Sequence, residues 1–241
     1  MVINSDMKMA DLVMLDIQIL ALIQRLNIPL GFRDKTIREV CTEHDVNETF
    51  FIQLANACHD SDYVPKEQQL TFPPECMIRY LQSTHKDFLH YRIPSIEKQI
   101  AEIEQFTDSP RNPELLLNFF REYISEFQSH LDLEERTVFP YTLLLSQCIR
   151  EKTLLPQFST EFGEYNIDRY MHEHNDIEEK LFDLKNILIK YMPPPTDSRK
   201  YNSLIHDLFH LEKDLNDHTD LENKVLAPLV RLMEKELQRI I

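Results

Sequence analysis

The chain has 241 residues, of which only two are glycine, and a formal net charge of −15. So few glycines argue against a β-rich fold, which needs them in its turns, and the excess of acidic residues argues against nonspecific binding to nucleic acid or to an anionic membrane. The sequence contains no run of about 18 apolar residues that could span a membrane, and its four cysteines form no CxxC pair, which favours reduced thiols in the cytoplasm.

Residues 1–62 are predicted to form a small helical N-terminal domain with two or three short helices. The first residues lack a basic segment that leads into an apolar core, so we expect no signal peptide. A proline-rich stretch at 63–74 follows and is interpreted as a linker. Residues 75–241 then form the second and larger domain of the predicted organisation.

Long stretches with helical periodicity predict four helices in this second domain. They run at about 75–105, 114–148, 161–191 and 199–239, and proline-containing connections separate them at 107–113, 150–158 and 192–198. Long helices with short connections indicate an all-α protein with an up-down four-helix bundle. Pro94 lies inside the first helix and is expected to kink it or to shift its register.

Each of the four helices carries a histidine on its apolar seam, the row of side chains that faces the core. In the fourth helix the seam consists of Leu204, Leu208, Leu211, Leu215, His218, Glu222, Val225, Leu229 and Leu232. The seam histidines of the first three helices are His85, His130 and His174, and Glu134 follows His130 just as Glu222 follows His218. A single seam histidine is usually an ordinary core residue. Burying several imidazoles and carboxylates there is costly unless a partner such as a metal ion satisfies them.

An internal repeat indicates two helical hairpins of one design. The segment HLDLEERTVFP, which begins at His130, matches HTDLENKVLAP, which begins at His218, at an offset of 88 residues. Upstream, the His85-Lys86-Asp87 triplet matches residues 174–176 at an offset of 89. The midpoint between each pair of successive seam histidines falls in or beside a connection. Because residues equally far from a hairpin loop lie at equal height, all four imidazoles are predicted to share one layer of the bundle.

The ligand types indicate a site for two metal ions. Residues at i and i+4 share a helix face, so each His-x-x-x-Glu pair can point both side chains at one ion. Six protein ligands are too many for one tetrahedral zinc, but they suit two octahedral irons if each glutamate bridges and an oxo or hydroxo group is shared. About one position per iron then stays open for dioxygen or nitric oxide. Manganese and zinc are alternatives that the residues alone leave open. The predicted ligands are His85, His130, Glu134, His174, His218 and Glu222.

Other residues have weaker claims. His90 could compete as a ligand only if Pro94 shifts the helix register. Glu126 and Asp214 precede two of the seam histidines by one turn, so they are candidates to accept the second imidazole N–H. A DNA-binding helix-turn-helix is a remote alternative for the N-terminal domain, because its candidate recognition helix at 47–58 has no Lys or Arg.

The two repeated segments, HLDLEERTVFP and HTDLENKVLAP, resemble the two halves of a hemerythrin-like domain. The order of a single His, His-x-x-x-Glu, a single His and His-x-x-x-Glu, over residues 76–235, resembles the repair-of-iron-centres family of di-iron proteins. The resemblance implies a hemerythrin-like four-helix bundle in which the six ligands hold two irons and both glutamates bridge. Dioxygen-carrying hemerythrins have a fifth histidine and different carboxylates, a pattern that this chain does not show.

The segment LIQRLNIPLGFRDKTIREVCTEHDVNETFFIQLAN resembles the small helical domain that precedes the bundle in that family. Family members typically carry two adjacent cysteines in the turn before the second helix. Here that turn, at 29–34, contains no cysteine, and Cys41 lies further on inside the next helix. The usual residues for thiol chemistry are therefore absent from this turn.

The resemblance implies a role in repairing iron–sulfur clusters damaged by nitric oxide or oxidants. Damaged iron–sulfur proteins are then the expected recipients, and dioxygen or nitric oxide the expected small ligand. Two other functions remain open: a sensor or store for dioxygen or nitric oxide without turnover, and an enzyme that reduces nitric oxide or peroxide. We expect no nucleic-acid or membrane partner and a cytoplasmic protein that is a monomer or a homodimer.

Overall fold

The structure, a computed structural model, describes residues 2–102, 112–173 and 179–240. Over these ranges the regular secondary structure is helical and contains no β-strand, which confirms the predicted all-α class. None of the helices in the same ranges is long and apolar enough to cross a lipid bilayer. In chain order the α-helices are α1 (Met9–Leu15), α2 (Ile19–Arg25), α3 (Ile37–Glu43), α4 (Glu48–His59), α5 (Pro74–Asp87), α6 (Ile93–Ala101), α7 (Asn112–Leu133), α8 (Phe139–Glu151), α9 (Pro156–Phe162), α10 (Ile167–Glu173), α11 (Glu179–Tyr191), α12 (Ser198–Leu221) and α13 (Ala227–Ile240).

The helices α3 and α4 begin at capping residues that the sequence supplies. The Thr36 side chain accepts a hydrogen bond from the Glu39 N–H at 3.2 Å, and the Glu39 carboxylate accepts one from the Thr36 N–H at 2.7 Å, which together form a capping box. Asn47 caps α4 in a similar way. Within residues 2–62 the structure has four helices where two or three are predicted. Both α1 and α2 have only seven residues, too few for periodicity to identify them.

The chain divides into two compact units. Unit 1 consists of Met1–Thr84, Glu135–Glu173 and Asp217–Ile241, and unit 2 consists of His85–Glu134 and His174–Asn216. Each unit has its own cluster of buried apolar side chains. In unit 1, residues of the N-terminal helices belong to the same core as residues of α5, α8 and α13. The predicted division at 1–62, 63–74 and 75–241 stays a prediction.

Single π-helical turns interrupt three of the long helices. Each turn is followed, two residues later, by a proline: Phe88–Arg92 by Pro94, Glu134–Val138 by Pro140, and Glu222–Leu226 by Pro228. Directly after the first and third turns, an N–H donates to the carbonyl five residues earlier, as a π-helix requires. The hydrogen-bond register therefore changes just before proline, which has no N–H to donate. The kink or register shift that is expected from Pro94 therefore takes the form of a π turn.

The predicted third helix, at 161–191, is wrong at its start. Helix α9 ends before Gly163, whose φ is +25°, and α10 begins only at Ile167. The Asn166 side chain accepts a hydrogen bond from the third N–H of α10 at 3.0 Å, and Glu234 accepts one from the Ile167 N–H at 2.9 Å. A glycine followed by a capping asparagine ends one helix and begins the next. The other three long helices begin within two residues of the predicted positions.

Glu234 also joins α10 to α8 within unit 1, because the Tyr141 hydroxyl donates to the same carboxylate oxygen at 2.7 Å. Burial, and then the hydrogen bond to Glu234, raises the pKa of Tyr141, so the phenol stays protonated and able to donate. One carboxylate thus satisfies a buried hydroxyl and the first N–H of a helix.

The substitution Glu234→Ala is expected to lower the free energy of unfolding by about 2 kcal/mol, because both donors lose a charged acceptor. Glu234→Gln should cost less, since an amide oxygen can still accept both hydrogen bonds. Glu236→Ala, an exposed change on the same helix, is the control and should stay within about 0.5 kcal/mol of the parent. Urea unfolding of the three variants tests this, and equal stability of Glu234→Ala and Glu236→Ala would contradict it.

Candidate metal centre

In unit 2 two imidazoles face one buried carboxylate. Glu134 is fully buried, with a relative exposure of 0%. The His85 Nε2 atom lies 3.1 Å from Glu134 Oε2, and the His130 Nε2 atom lies 2.6 Å from Glu134 Oε1. The two imidazoles therefore approach opposite oxygens of the same carboxylate. We call these three residues the unit 2 cluster.

In unit 1 the second His-x-x-x-Glu segment forms a pair of its own. His218 Nε2 lies 3.2 Å from Glu222 Oε1, and the two residues are exposed by only 3% and 1%. The spacing of four residues on α12 places both side chains on one helix face. We call these two residues the unit 1 pair. It repeats the His130–Glu134 contact of the unit 2 cluster.

In the part of the chain that the structure describes, four side chains of metal-binding types are buried: His85 and Glu134 in unit 2, and His218 and Glu222 in unit 1. His130 contacts Glu134 but is slightly more exposed, at 11% of its side chain. His174, the sixth predicted ligand, lies outside the described residues. Five of the six predicted ligands are thus described, and each of them takes part in a His–Glu contact within its own unit.

The glutamates lie at the points where α-helix changes to π-helix. Glu134 is the first residue of one π turn and Glu222 is the first residue of another. The third π turn, Phe88–Arg92, begins three residues after His85. Short π segments inside α-helices are rare and often lie at functional sites. Apolar periodicity does not predict these π turns. A proline six residues after each glutamate is the feature of the sequence that indicates them.

The chain passes from one unit to the other next to the predicted ligands. The boundaries lie between Thr84 and His85, directly after Glu134, and one residue before His218. Along α12 the leucines before the boundary, such as Leu215, belong to the core of unit 2, whereas Leu221 belongs to the core of unit 1. The apolar cores therefore end where the polar seam residues begin.

Aromatic side chains border the unit 2 cluster along its helices. Phe88 and Phe127 lie one turn from His85 and His130, respectively, and their rings are 5.6 Å apart with an edge-to-face tilt. Tyr123 stacks on Phe127 with ring centroids 6.3 Å apart. All three rings are buried. The three rings therefore form part of the buried apolar core of unit 2, close in sequence to His85 and His130.

The donor set fits a borderline divalent metal. Imidazole nitrogens suit iron, zinc, copper and nickel, and carboxylate oxygens add preference for iron and manganese. A carboxylate buried as deeply as Glu134 or Glu222 also needs a positive partner, because the desolvation of an anion costs several kcal/mol or more. A metal ion bound by these Nε2 nitrogens and carboxylate oxygens would supply that charge.

Three further residues are weaker candidates to bind the metal or to orient its ligands: His90, Glu126 and Asp214. His90 is exposed, so it does not compete with His85. Glu126 is largely exposed and pairs with Lys180, whereas Asp214 is buried at 7% exposure and stays a candidate to orient His218.

Glu212, which would be a surface residue on helical periodicity alone, is mostly buried and pairs with the buried Lys185.

Helix α4 gives the helix-turn-helix reading no support. Eight of its 12 residues are buried, so most of its surface is used for packing inside unit 1 rather than being open to a DNA groove. The α3 thiol is also buried: Cys41 is exposed by only 1%. Burial, helped by the charge of Glu48, raises the pKa of Cys41 to about 12, so the reactive thiolate is negligible at neutral pH.

Comparison with known proteins places these features in a family. The model of a family described as "Hemerythrin HHE cation binding domain" matches residues 77–230, more than half of the chain. The iron-sulfur cluster repair protein ScdA of Staphylococcus haemolyticus is 22% identical over 152 residues, 62% of this chain and 64% of that protein. The iron-sulfur cluster repair protein YtfE of Salmonella choleraesuis is 23% identical over 199 residues, 80% of this chain and 82% of that protein. The chain therefore spans slightly less than two thirds of ScdA, and the resemblance to a hemerythrin-like bundle and to repair proteins is confirmed.

The substitution Glu222→Gln is expected to lower metal affinity by about 10–100-fold or more, because it removes the negative charge of a ligand while keeping its shape. Glu236→Gln, an exposed change of the same type on α13, is the control and should retain the parent metal content. Elemental analysis of both purified proteins gives the number of ions per chain. Equal metal content in the two variants would remove Glu222 from the ligand set.

The thiols are expected to differ in reactivity. Cys41 stays protonated and buried, whereas Cys76 is partly exposed, so iodoacetamide at about pH 8 should modify Cys76 first. Mass spectrometry of the folded chain after a short reaction measures both sites, and unfolding in urea should make Cys41 reactive as well. Modification of Cys41 at the rate of Cys76 in the folded chain would contradict this assignment.

Proposed function

Because this chain belongs to the hemerythrin HHE cation-binding family, we propose that it holds two iron ions and acts in the repair of iron–sulfur clusters damaged by nitric oxide or oxidants. The observation that carries the proposal is the fully buried Glu134 carboxylate with an imidazole nitrogen facing each of its oxygens. A carboxylate contacted on both oxygens has the arrangement that a ligand bridging two ions needs.

In the proposed centre the unit 2 cluster and the unit 1 pair act together. Glu134 and Glu222 would supply carboxylate ligands to the two ions, and the imidazoles would complete the set of protein ligands. The repeat supports this assignment, since it gives both glutamates the same sequence context, the same contact with a histidine four residues earlier and the same π turn. The proposed ligands are His85, His130, Glu134, His174, His218 and Glu222.

Two irons held in this way would supply exchangeable ferrous ions and open coordination positions for dioxygen or nitric oxide. The side chains of this protein would determine how the ions are held and how their ligands are oriented. The negative charge of the glutamates would hold the ions, and the buried rings of Phe88, Tyr123 and Phe127 lie close in sequence to the histidines of the unit 2 cluster. Asp214, buried one turn before His218, would accept the second imidazole N–H and so fix the orientation of the ring.

The relatives support repair rather than simple gas carriage. Both ScdA and YtfE are named iron-sulfur cluster repair proteins, and the similarity to YtfE extends over most of both chains. In this chain the N-terminal domain would contribute no reactive thiol, because the turn at 29–34 has no cysteine and Cys41 stays protonated. Repair by this protein would therefore depend on the irons of the centre.

The test uses an iron–sulfur enzyme that nitric oxide has inactivated. Adding the iron-loaded chain under anaerobic conditions should restore the activity of that enzyme, and iron should leave the chain as activity returns. The variant Glu134→Gln should restore little, because it lacks the charge of a bridging ligand. The exposed variant Glu236→Gln is the matched control and should behave as the parent.

Each other outcome points to a different function. Reversible binding of nitric oxide or dioxygen without loss of iron would replace repair with sensing or storage. Catalytic consumption of nitric oxide or peroxide with an added reductant would identify an enzyme. Isolation of the chain with zinc alone, after expression in iron-rich medium, would contradict the proposed di-iron centre.

A further inference from the structure

Helix α12 carries metal-binding side chains at every fourth residue along half of its length. The row consists of His206, His210, Asp214, His218 and Glu222, the last being the first residue after α12. Residues four apart on a helix are neighbours on its surface. The row therefore continues from the buried pair in the direction of the N-terminus of α12.

Exposure falls steadily along this row. The side chain of His206 is 70% exposed and His210 is partly exposed. Asp214 is exposed by 7%, His218 by 3% and Glu222 by 1%. The row of potential metal ligands thus begins at a solvent-exposed residue and ends at the buried His218 and Glu222.

The two outer histidines already lie close enough to share an ion. Their ring centroids are 4.3 Å apart, with the planes inclined by 51°. Two imidazole nitrogens that bind the same ion each lie about 2.1 Å from it, which matches rings at this separation. A pair of histidines four residues apart on one helix can therefore chelate an ion without moving the backbone.

Neighbouring side chains restrict His206. Its Nδ1 atom lies 3.8 Å from Asp207 Oδ1, and the Gln99 amide donates to the other oxygen of Asp207 at 2.6 Å. The Asp207 carboxylate therefore adds negative charge beside the outer imidazole, which favours a cation there. The net charge of −15 raises the local concentration of cations around the chain.

We propose that His206 and His210 form a second metal site, which captures a divalent transition-metal ion at the surface of α12 and passes it along the row toward His218 and Glu222. Asp214 is the intermediate ligand. The destination of the ion rests on the proposed centre, whereas the capture site stands on the two outer histidines alone. The ion is of the imidazole-binding class that includes Fe²⁺, Ni²⁺ and Zn²⁺.

The capture site is tested with Ni²⁺, which binds imidazole more tightly than Fe²⁺. Calorimetric titration of the metal-loaded chain, in a buffer that does not bind metals, should show one additional site. The variants His206→Gln and His210→Gln should each weaken that site about tenfold or more, because one of two protein ligands is lost. His172→Gln, which removes an exposed histidine from α10, is the matched control and should leave the site unchanged.

The transfer step is tested by exchange of isotopically labelled Fe²⁺ into the iron-loaded chain. The double variant of His206 and His210 should exchange several-fold more slowly than the parent, with the same final iron content and the same helical circular dichroism. Unchanged Ni²⁺ affinity in both single variants would overturn the capture site. Loss of the Ni²⁺ site with an unchanged exchange rate would overturn the transfer of ions along α12. Neither result depends on whether the chain repairs iron–sulfur clusters, so the two proposals fail separately.

Discussion

The burial of two carboxylates among apolar helix seams constrains the rest of this structure. Glu134 and Glu222 take positions where leucine would otherwise pack. Within 3.2 Å, Glu134 has two imidazole nitrogens and Glu222 has one. A buried anion is tolerated only where positive charge compensates for lost hydration. Protonated imidazoles or a bound cation can supply that charge, and membership of a cation-binding family favours the cation. This requirement explains the three π turns. A local change of hydrogen-bond register alters the direction of the predicted ligand side chains while the rest of each helix packs regularly.

Proline helps to fix that register. An α-helix that continued through Pro94, Pro140 or Pro228 would lose a hydrogen bond and place the ring against a carbonyl of the preceding turn. In all three cases the wider π turn lies just before the proline, so the change of hydrogen-bond register falls next to the predicted ligands. The combination of a π turn and a following proline thus occurs three times in the chain. In two of these cases it accompanies a His-x-x-x-Glu segment. The two glutamates therefore share one local backbone context, whereas the side chains that pack around Glu222 come from distant parts of the sequence.

Periodicity identified the features that repeat and failed for those that do not. The all-α class and the starts of three long helices follow from apolar rows of 20 residues or more, in which one misplaced residue changes little. Gly163 and Asn166 interrupt the third helix by local backbone effects that apolar periodicity does not detect, whereas the contact of Glu234 with the Ile167 N–H joins residues almost 70 positions apart in sequence. The burial of Glu212 beside Lys185 likewise depends on packing between α11 and α12. The π turns are missed because the spacing of apolar residues carries no direct sign of a hydrogen-bond register that changes for one turn.

The N-terminal helices have a structural explanation that needs no thiol chemistry. Phe50, Phe51 and Leu54 of α4 belong to the same buried core as Leu221 and Val225, which flank Glu222 in the sequence. Lys224, inside the π turn, donates to the carbonyl of Ser61 just after α4. Packing of this kind holds the residues around Glu222 in one conformation, and a ligand held by its neighbours loses less entropy when it binds an ion. The N-terminal helices, whose turn at 29–34 lacks the cysteine pair, therefore pack against residues that flank Glu222, one of the proposed metal ligands.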